Sequence, residues 1–265
     1  MKKFLAIILA VLLLLCVTAC KKDDTTNANN NDTEEIAEDE TMEYNEFLYA
    51  VNEFGDYEIV GYTYGGLELR TVDVPAQIDG RPVTGIGSEA FKACKTIQVV
   101  NIPSSITYVG NYAFYDCDAL MAITLPDSIT SVGQGAFEKC DNLTTVTFSA
   151  KLTEIGDFAF LDCQKLTGVT LPVGLLTVGD GAFQNCDALV EITVPTTVTA
   201  IGSGAFCGCN QLKTVIALGD TNQLGDGIFE NAAADMKLTV KAGSALEAYA
   251  EKWYYSFTAE TTPAA

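Results

Sequence analysis

Histidine is absent from the 265 residues, and that one gap removes several chemistries at once. No imidazole is available as a general base, as the middle member of a serine or cysteine triad, or as a metal ligand. Acid–base work would fall to carboxylates, tyrosine or lysine. Positive charge is scarce too: 15 basic against 35 acidic side chains give a net charge of −20. Such a surface repels nucleic acid and anionic headgroups and favours cationic partners or divalent ions. No run of apolar residues reaches the roughly 20 needed to span a bilayer. A phosphate-cradling glycine loop is missing, and Asp220 to Asp226 lacks calcium-loop spacing.

The one long apolar run, Phe4 to Val17, follows Lys2 and Lys3 and has the length of a signal-peptide core. Val17-Thr18-Ala19-Cys20 after it resembles a bacterial lipobox. That resemblance implies removal of residues 1–19 and acyl chains, palmitate among them, on Cys20. An uncleaved anchor with an incidental cysteine is the plainer alternative. From Lys21 to Glu43 there is almost nothing to bury, and nine carboxylates lie between Asp23 and Glu43. Such a segment cannot offset its ordering entropy, so residues 20–43 are expected to be a lipidated, disordered acidic tether.

Beyond the tether a period of 23 residues governs the chain. Phenylalanine recurs at Phe91, Phe114, Phe137, Phe160, Phe183, Phe206 and Phe229, and cysteine follows three later from Cys94 to Cys209. Glycine precedes each phenylalanine by four, and proline keeps phase at Pro103, Pro126, Pro172 and Pro195, with Ser149 and Leu218 departing. Residue types locked in phase over six or seven turns mark a solenoid, whose coils bury their apolar faces only by stacking. Within a coil, Ile123-Thr124-Leu125 alternates as a strand does, and Pro126 ends it.

The unit Leu-x-x-Val/Ile-x-Ile/Leu-Pro-x-x-Ile/Val-Thr-x-Val/Ile-Gly-x-x-Ala-Phe-x-x-Cys resembles the BspA-like, or Treponema-type, leucine-rich repeats of bacterial surface proteins. The resemblance runs from about Val74 to Val240. It implies a leucine-rich repeat solenoid, mainly β with irregular or short helical return segments, and export with a role in adhesion. Residues 44–82 are expected to form an N-terminal β cap, residues 83–240 the solenoid, and residues 241–265 a helical cap and tail. Within the first cap, Tyr57–Tyr62 and Leu67–Val72 read as strands, Phe47–Val51 as a strand or short helix, and Gln77–Pro82 as a turn. In the last, Ser244 and Glu247 have capping-box spacing, and Leu246, Tyr249 and Trp253 are expected to cover the final coil.

Candidate sites follow from side chains that point out of the coils. Thr124, Thr147, Thr170 and Thr193 fall in one outward column, beside Ala122, Thr145, Gly168, Glu191 and Thr214, giving a smooth neutral strip. Threonine also simply suits exposed strands. Tyr108, Tyr112 and Tyr115 crowd one unit and suit an interface or a sugar face, or mere edge packing. The cysteine column reads as buried thiols ahead of disulfides or a metal site, and Cys207 lies outside it in an exposed turn. Asp118, Asp141 and Asp187 read as turn caps ahead of a weak divalent site.

The reading as a whole is a non-enzyme without cofactor or metal, and monomeric. It is held at the bacterial cell envelope by its lipid, exposed at the surface, and binds an extracellular or envelope protein or a glycan, not nucleic acid. A scaffold that assembles other envelope proteins is the alternative.

Overall fold

A computed structural model of the chain describes residues 41–63 and 70–261. The leader, Cys20 and the tether up to Glu40 lie outside the described residues, as do Gly65, Gly66 and the start of the Leu67–Val72 strand.

Each coil has three sides. One carries a short exposed strand, such as Ala122–Thr124 or Thr145–Thr147, in which the middle residue is buried and its neighbours face solvent. These strands pair in parallel and in register, Thr147 beside Thr124 and Val146 beside Ile123. A five-stranded sheet runs from Thr71–Asp73 to Gly168–Val169, and a four-stranded one from Glu191–Val194 to Ser256–Glu260. The ladder between the two is interrupted where Gly168 sits, a residue with little strand preference, and Val169 is only half buried there.

On the second side, two-residue strands such as Tyr108–Val109 and Ser131–Val132 continue an eleven-stranded sheet from Met42–Tyr44 to Gln223–Leu224. Phe47–Val51 is a strand here, antiparallel to Tyr57–Tyr62. Gln77–Ile78 folds back on Arg81–Pro82 as a hairpin, with Asp79 and Gly80 both at positive φ, which is how a two-residue β-turn reverses the chain. Tyr57–Tyr62 pairs in parallel with Arg81–Ile86, and Thr71–Asp73 with Val99–Asn101, so the N-terminal strands join the coil ladders.

The third side, Gly-x-x-Ala-Phe-x-x-Cys, has no strand, yet it is laced to the next coil by the backbone. Tyr112, Phe114 and Asp116 donate their N–H groups to the carbonyls of Gln134, Ala136 and Glu138, each at 2.8 Å. The residues flanking phenylalanine by two adopt positive φ in coil after coil: Glu89 and Ala93, Tyr112 and Asp116, Gly135 and Lys139. That alternation turns every second N–H towards the next coil, while those between, as at Ala113 and Tyr115, donate back to Gly110 and Tyr112 of their own coil. The glycine four before phenylalanine answers a different need. A Cβ on Gly156 would lie 2.7–2.9 Å from the backbone of Val132, Gly133 and Gln134, so only glycine lets the corners of successive coils close up.

Inside, Phe91 through Phe229 form one column with ring centroids 5.0–5.8 Å apart and planes within 12° of parallel. All seven are essentially inaccessible, and each such burial contributes roughly 1.5–3 kcal/mol. The column ends on Tyr62 at one side. At the other, Tyr249 and Tyr255 meet Phe229 edge-on. The helix Ala245–Lys252 (α1) carries the expected cap: Ser244 accepts from the Glu247 N–H, and the Glu247 carboxylate accepts from the Gly243 N–H at 2.6 Å. Leu246 and Tyr249 are buried as anticipated, but Trp253 is 43 % exposed and Tyr255 takes the covering role. After α1 the chain adds a last strand, Ser256–Glu260, parallel to Lys237–Lys241, where the sequence predicts only a tail.

Candidate functional site

The threonine column stands on the first side. Thr124, Thr147, Thr170 and Thr193 are all exposed, with Ala122, Thr145, Gly168 and Glu191 beside them. Their hydroxyls have no protein partner among the described residues, a property they share with Thr145 beside them. Thr107, Thr144, Thr197 and Thr221 donate to carbonyls of the preceding coil at 2.7–3.0 Å. Those hydroxyls stitch coil to coil, whereas the four outward ones face solvent. The strip is divided, because Thr124 and Thr147 lie in the five-stranded sheet, Thr170 directly follows its last strand and Thr193 lies in the first strand of the four-stranded one.

The three tyrosines do not form one patch. Tyr108 lies on the second side, its ring over Gly85 and its hydroxyl donating to Glu58 Oε2 at 2.6 Å. Burial, and then the Glu58 carboxylate, raise its pKa well above the usual phenol value. Tyr112 and Tyr115 belong to the third side and meet edge-on, ring centroids 6.0 Å apart. Tyr112 lies over Gly135 of the next coil, which has no side chain to obstruct it. Tyr115 is flanked by Lys92 and Lys139, whose Nζ atoms lie 5.7 and 5.1 Å from its ring centroid. Lys139 also donates to the Tyr115 hydroxyl at 2.7 Å.

Tyr108 borders a feature that periodicity could not reveal. An open groove of about 600 Å³ runs between the loop after Phe47–Val51 and the second-side strands, with Phe54, Glu58, Thr107, Tyr108 and Ser131 on its walls. Phe54 is 75 % exposed and Val51 44 %. Only the alternation-free stretch Asn52 to Asp56 hints at this loop in the sequence.

The cysteines are thiols: none of Cys140, Cys163, Cys186 or Cys209 is in a disulfide, and all four are buried. Each donates its Sγ–H to the carbonyl of the preceding coil's phenylalanine, Cys163 to Phe137 at 3.1 Å for example. Burial pushes these thiols up, well above the ordinary value for Cys140, Cys163 and Cys186 and to about 12 for Cys209. Cys207 is half buried, and burial and then Glu230 raise it as well. A raised pKa disfavours the thiolate, the reactive form of cysteine. The acidic column bonds between coils: Asp118 pairs with Lys95 at 2.9 Å, and Asp187 accepts from Asn210 at 2.8 Å. Among the described residues, no three His, Cys, Asp or Glu side chains converge to hold a metal ion. No described helix is long and apolar enough to cross a membrane.

Stacked 23-residue coils, a shared phenylalanine interior and an exposed parallel sheet define a leucine-rich repeat solenoid, an architecture typical of protein or glycan interaction modules. The chain belongs to the BspA type leucine-rich repeat family, whose model matches residues 58–190 and 142–256 with six copies of the repeat. It is similar in structure to a leucine-rich repeat protein of Treponema pallidum, at a TM-score of 0.68 and 28% identity, over 84% of this chain and 100% of that one. It also resembles a leucine rich cell surface protein of Faecalibacterium prausnitzii A2-165, at a TM-score of 0.51 and 28% identity, over 66% of this chain and 54% of that one. A search of curated proteins found no match.

Proposed function

We propose that the chain is a cell-envelope lipoprotein that binds an extracellular or envelope protein, or a glycan, without catalysis or cofactor. Residues 1–19 direct export, Cys20 carries the acyl chains, and residues 20–43 raise the solenoid from the bilayer. Two or three acyl chains anchor stably where one binds only marginally. The solenoid then presents Thr124, Thr147, Thr170 and Thr193 outward. The observation that carries this reading is that those four hydroxyls are exposed and unspent, while threonines between the coils are consumed by the backbone. A rigid strip of hydroxyls and methyls loses little entropy on binding, and both a protein backbone and a sugar ring can hydrogen-bond along it.

The test is a screen of the detergent-solubilised full chain against a glycan array and immobilised extracellular and envelope proteins. Thr124→Lys with Thr147→Lys places two long charged side chains on the strip and should weaken the strongest interaction by about tenfold, the loss of ~1.4 kcal/mol. If every fraction fails to bind, or the double variant binds as the parent does, the reading is wrong.

A further inference from the structure

The groove beside Tyr108 has a chemistry of its own. Its outer wall is the loop Asn52–Asp56, and that loop is held in place. Asn52 Oδ1 accepts the N–H groups of Phe54 and Asp56 at 3.0 and 3.1 Å, and Asn52 Nδ2 donates to Thr84 on the second-side sheet at 3.1 Å. Phe54 is thus presented to solvent, 75 % exposed, on a braced loop, with Val51 next to it at 44 %. An apolar ring held out in this way gains nothing from the fold, and it loses little freedom when a partner covers it.

Charge supplies the second observation. Glu53 and Glu58 line the groove, and Asp56 flanks it on the same loop. None of the three takes part in an ion pair among the described residues, where the five pairs use Lys92, Lys95, Lys213 and Lys241. Glu58 accepts the Tyr108 hydroxyl through Oε2, which holds its carboxylate in place, and among the described residues no group donates to its Oε1. Ser131 adds an exposed hydroxyl on the floor, where the hydroxyls of Thr107 and Thr130 donate to the carbonyls of Thr84 and Thr107. In a chain of net charge −20, unpaired carboxylates beside an exposed ring repel anionic sugars, nucleic acid and lipid headgroups, and they complement a cation on an apolar stem.

We infer that this groove binds an extended basic protein segment, with an arginine or lysine on the Glu53 and Glu58 carboxylates and an adjoining apolar side chain on Phe54. The site is on a different side of the solenoid from the threonine strip. It gives the molecule a second contact at its N-terminal end, and each contact raises the effective concentration of the other.

Fluorescence anisotropy of a labelled Gly-Arg-Leu-Arg-Leu-Gly peptide titrated with the full chain tests this. Its mirror, Gly-Glu-Leu-Glu-Leu-Gly, serves as the charge control. The basic peptide should bind and the acidic one should not. Phe54→Ser should weaken binding by about tenfold or more, as loss of an anchoring aromatic does. Glu53→Gln with Glu58→Gln should weaken it similarly, whereas Glu251→Gln with Glu260→Gln, which removes the same charge from the far end, should change it less than about twofold. The thermal midpoints of all variants show that the fold is retained. Equal weakening by the two double variants reduces the effect to net charge and overturns the site. Unchanged binding by Phe54→Ser, or no binding of the basic peptide, overturns it as well. Since the threonine strip is untouched in every variant, loss of this site leaves the glycan and protein screen as it was, and the two readings fail separately.

Discussion

A buried thiol that donates to a carbonyl is held in its neutral form, and this sets both its reactivity and its effect on stability. Cys140, Cys163 and Cys186 are pushed up first by burial and then by the neighbouring thiol in the column. At pH 8, iodoacetamide should leave these three unmodified in the native protein and modify all of them in denaturant, as read by mass spectrometry. The linkage has one sign. Above the ordinary thiol value of 9.0 the unfolded chain loses these protons while the folded chain keeps them, so stability falls as pH rises through that value. Urea unfolding from pH 7 to 10 should show the decline, and replacing Cys163 by alanine should lessen it. The column itself was legible, since cysteine held phase with phenylalanine. The bond to Phe137 was not, because it joins residues 26 apart on different coils, a relation that no local pattern contains. Tyr108 crowds Tyr112 and Tyr115 in the sequence, yet its neighbours in the fold are Glu58 and Gly85, brought to it by the sheet.

At the scale of the element, the strand side was readable and the other two sides were not. Alternation in Ile123-Thr124-Leu125 marks a strand because one face is buried. From Tyr108–Val109 onward the second-side strands are two residues long, too short to alternate. The third side depends on φ, which the residue types betray only where glycine appears. Gly135, Gly181 and Gly204 occupy a left-handed position that Tyr112 and Phe158 also hold, and Ala93 holds its counterpart two residues past phenylalanine. A non-glycine residue pays roughly 1–2 kcal/mol there. Ala93→Gly should therefore raise stability, by up to about 1 kcal/mol once glycine's greater unfolded freedom is set against the relief. Gly135→Ala should lower it, since the new Cβ would also run into the Tyr112 ring. Denaturant midpoints of the two variants check the opposite signs. Ser256–Glu260 escaped notice for a related reason: it is mostly exposed, and it is a strand only because Lys237–Lys241 offers it an edge.

Over the whole molecule the excess of negative charge works against the fold, and two groups show where. Glu138 is raised first by burial, with Asp162 adding repulsion, and Asp141 first by burial and then by Asp118, Asp162 and Asp116. Their ordinary values are 4.5 and 3.8. With the folded value above the unfolded one, the native chain binds these protons first as pH falls, so each contributes stability at low pH that is lost as pH rises through its folded value. Mild acid also relieves the general repulsion of a chain at −20. Among the described residues the surface ion pairs are few, and such pairs contribute about 0–1 kcal/mol each. The thermal midpoint should therefore rise, by about 2–4 °C for each kcal/mol gained in a chain of this size, as pH is lowered from 7.5 towards the ordinary Glu138 value of 4.5. Salt should imitate part of that gain at pH 7.5, because a Debye length of about 8 Å at 0.15 M screens carboxylates on neighbouring coils from more distant ones. Glu138→Gln with Asp141→Asn should raise the midpoint at pH 7.5 and flatten the pH response. Scanning calorimetry of parent and variant in low and physiological salt separates the causes. A midpoint that falls on mild acidification would mean that the carboxylates stabilise the solenoid through their bonds between coils more than they strain it through repulsion.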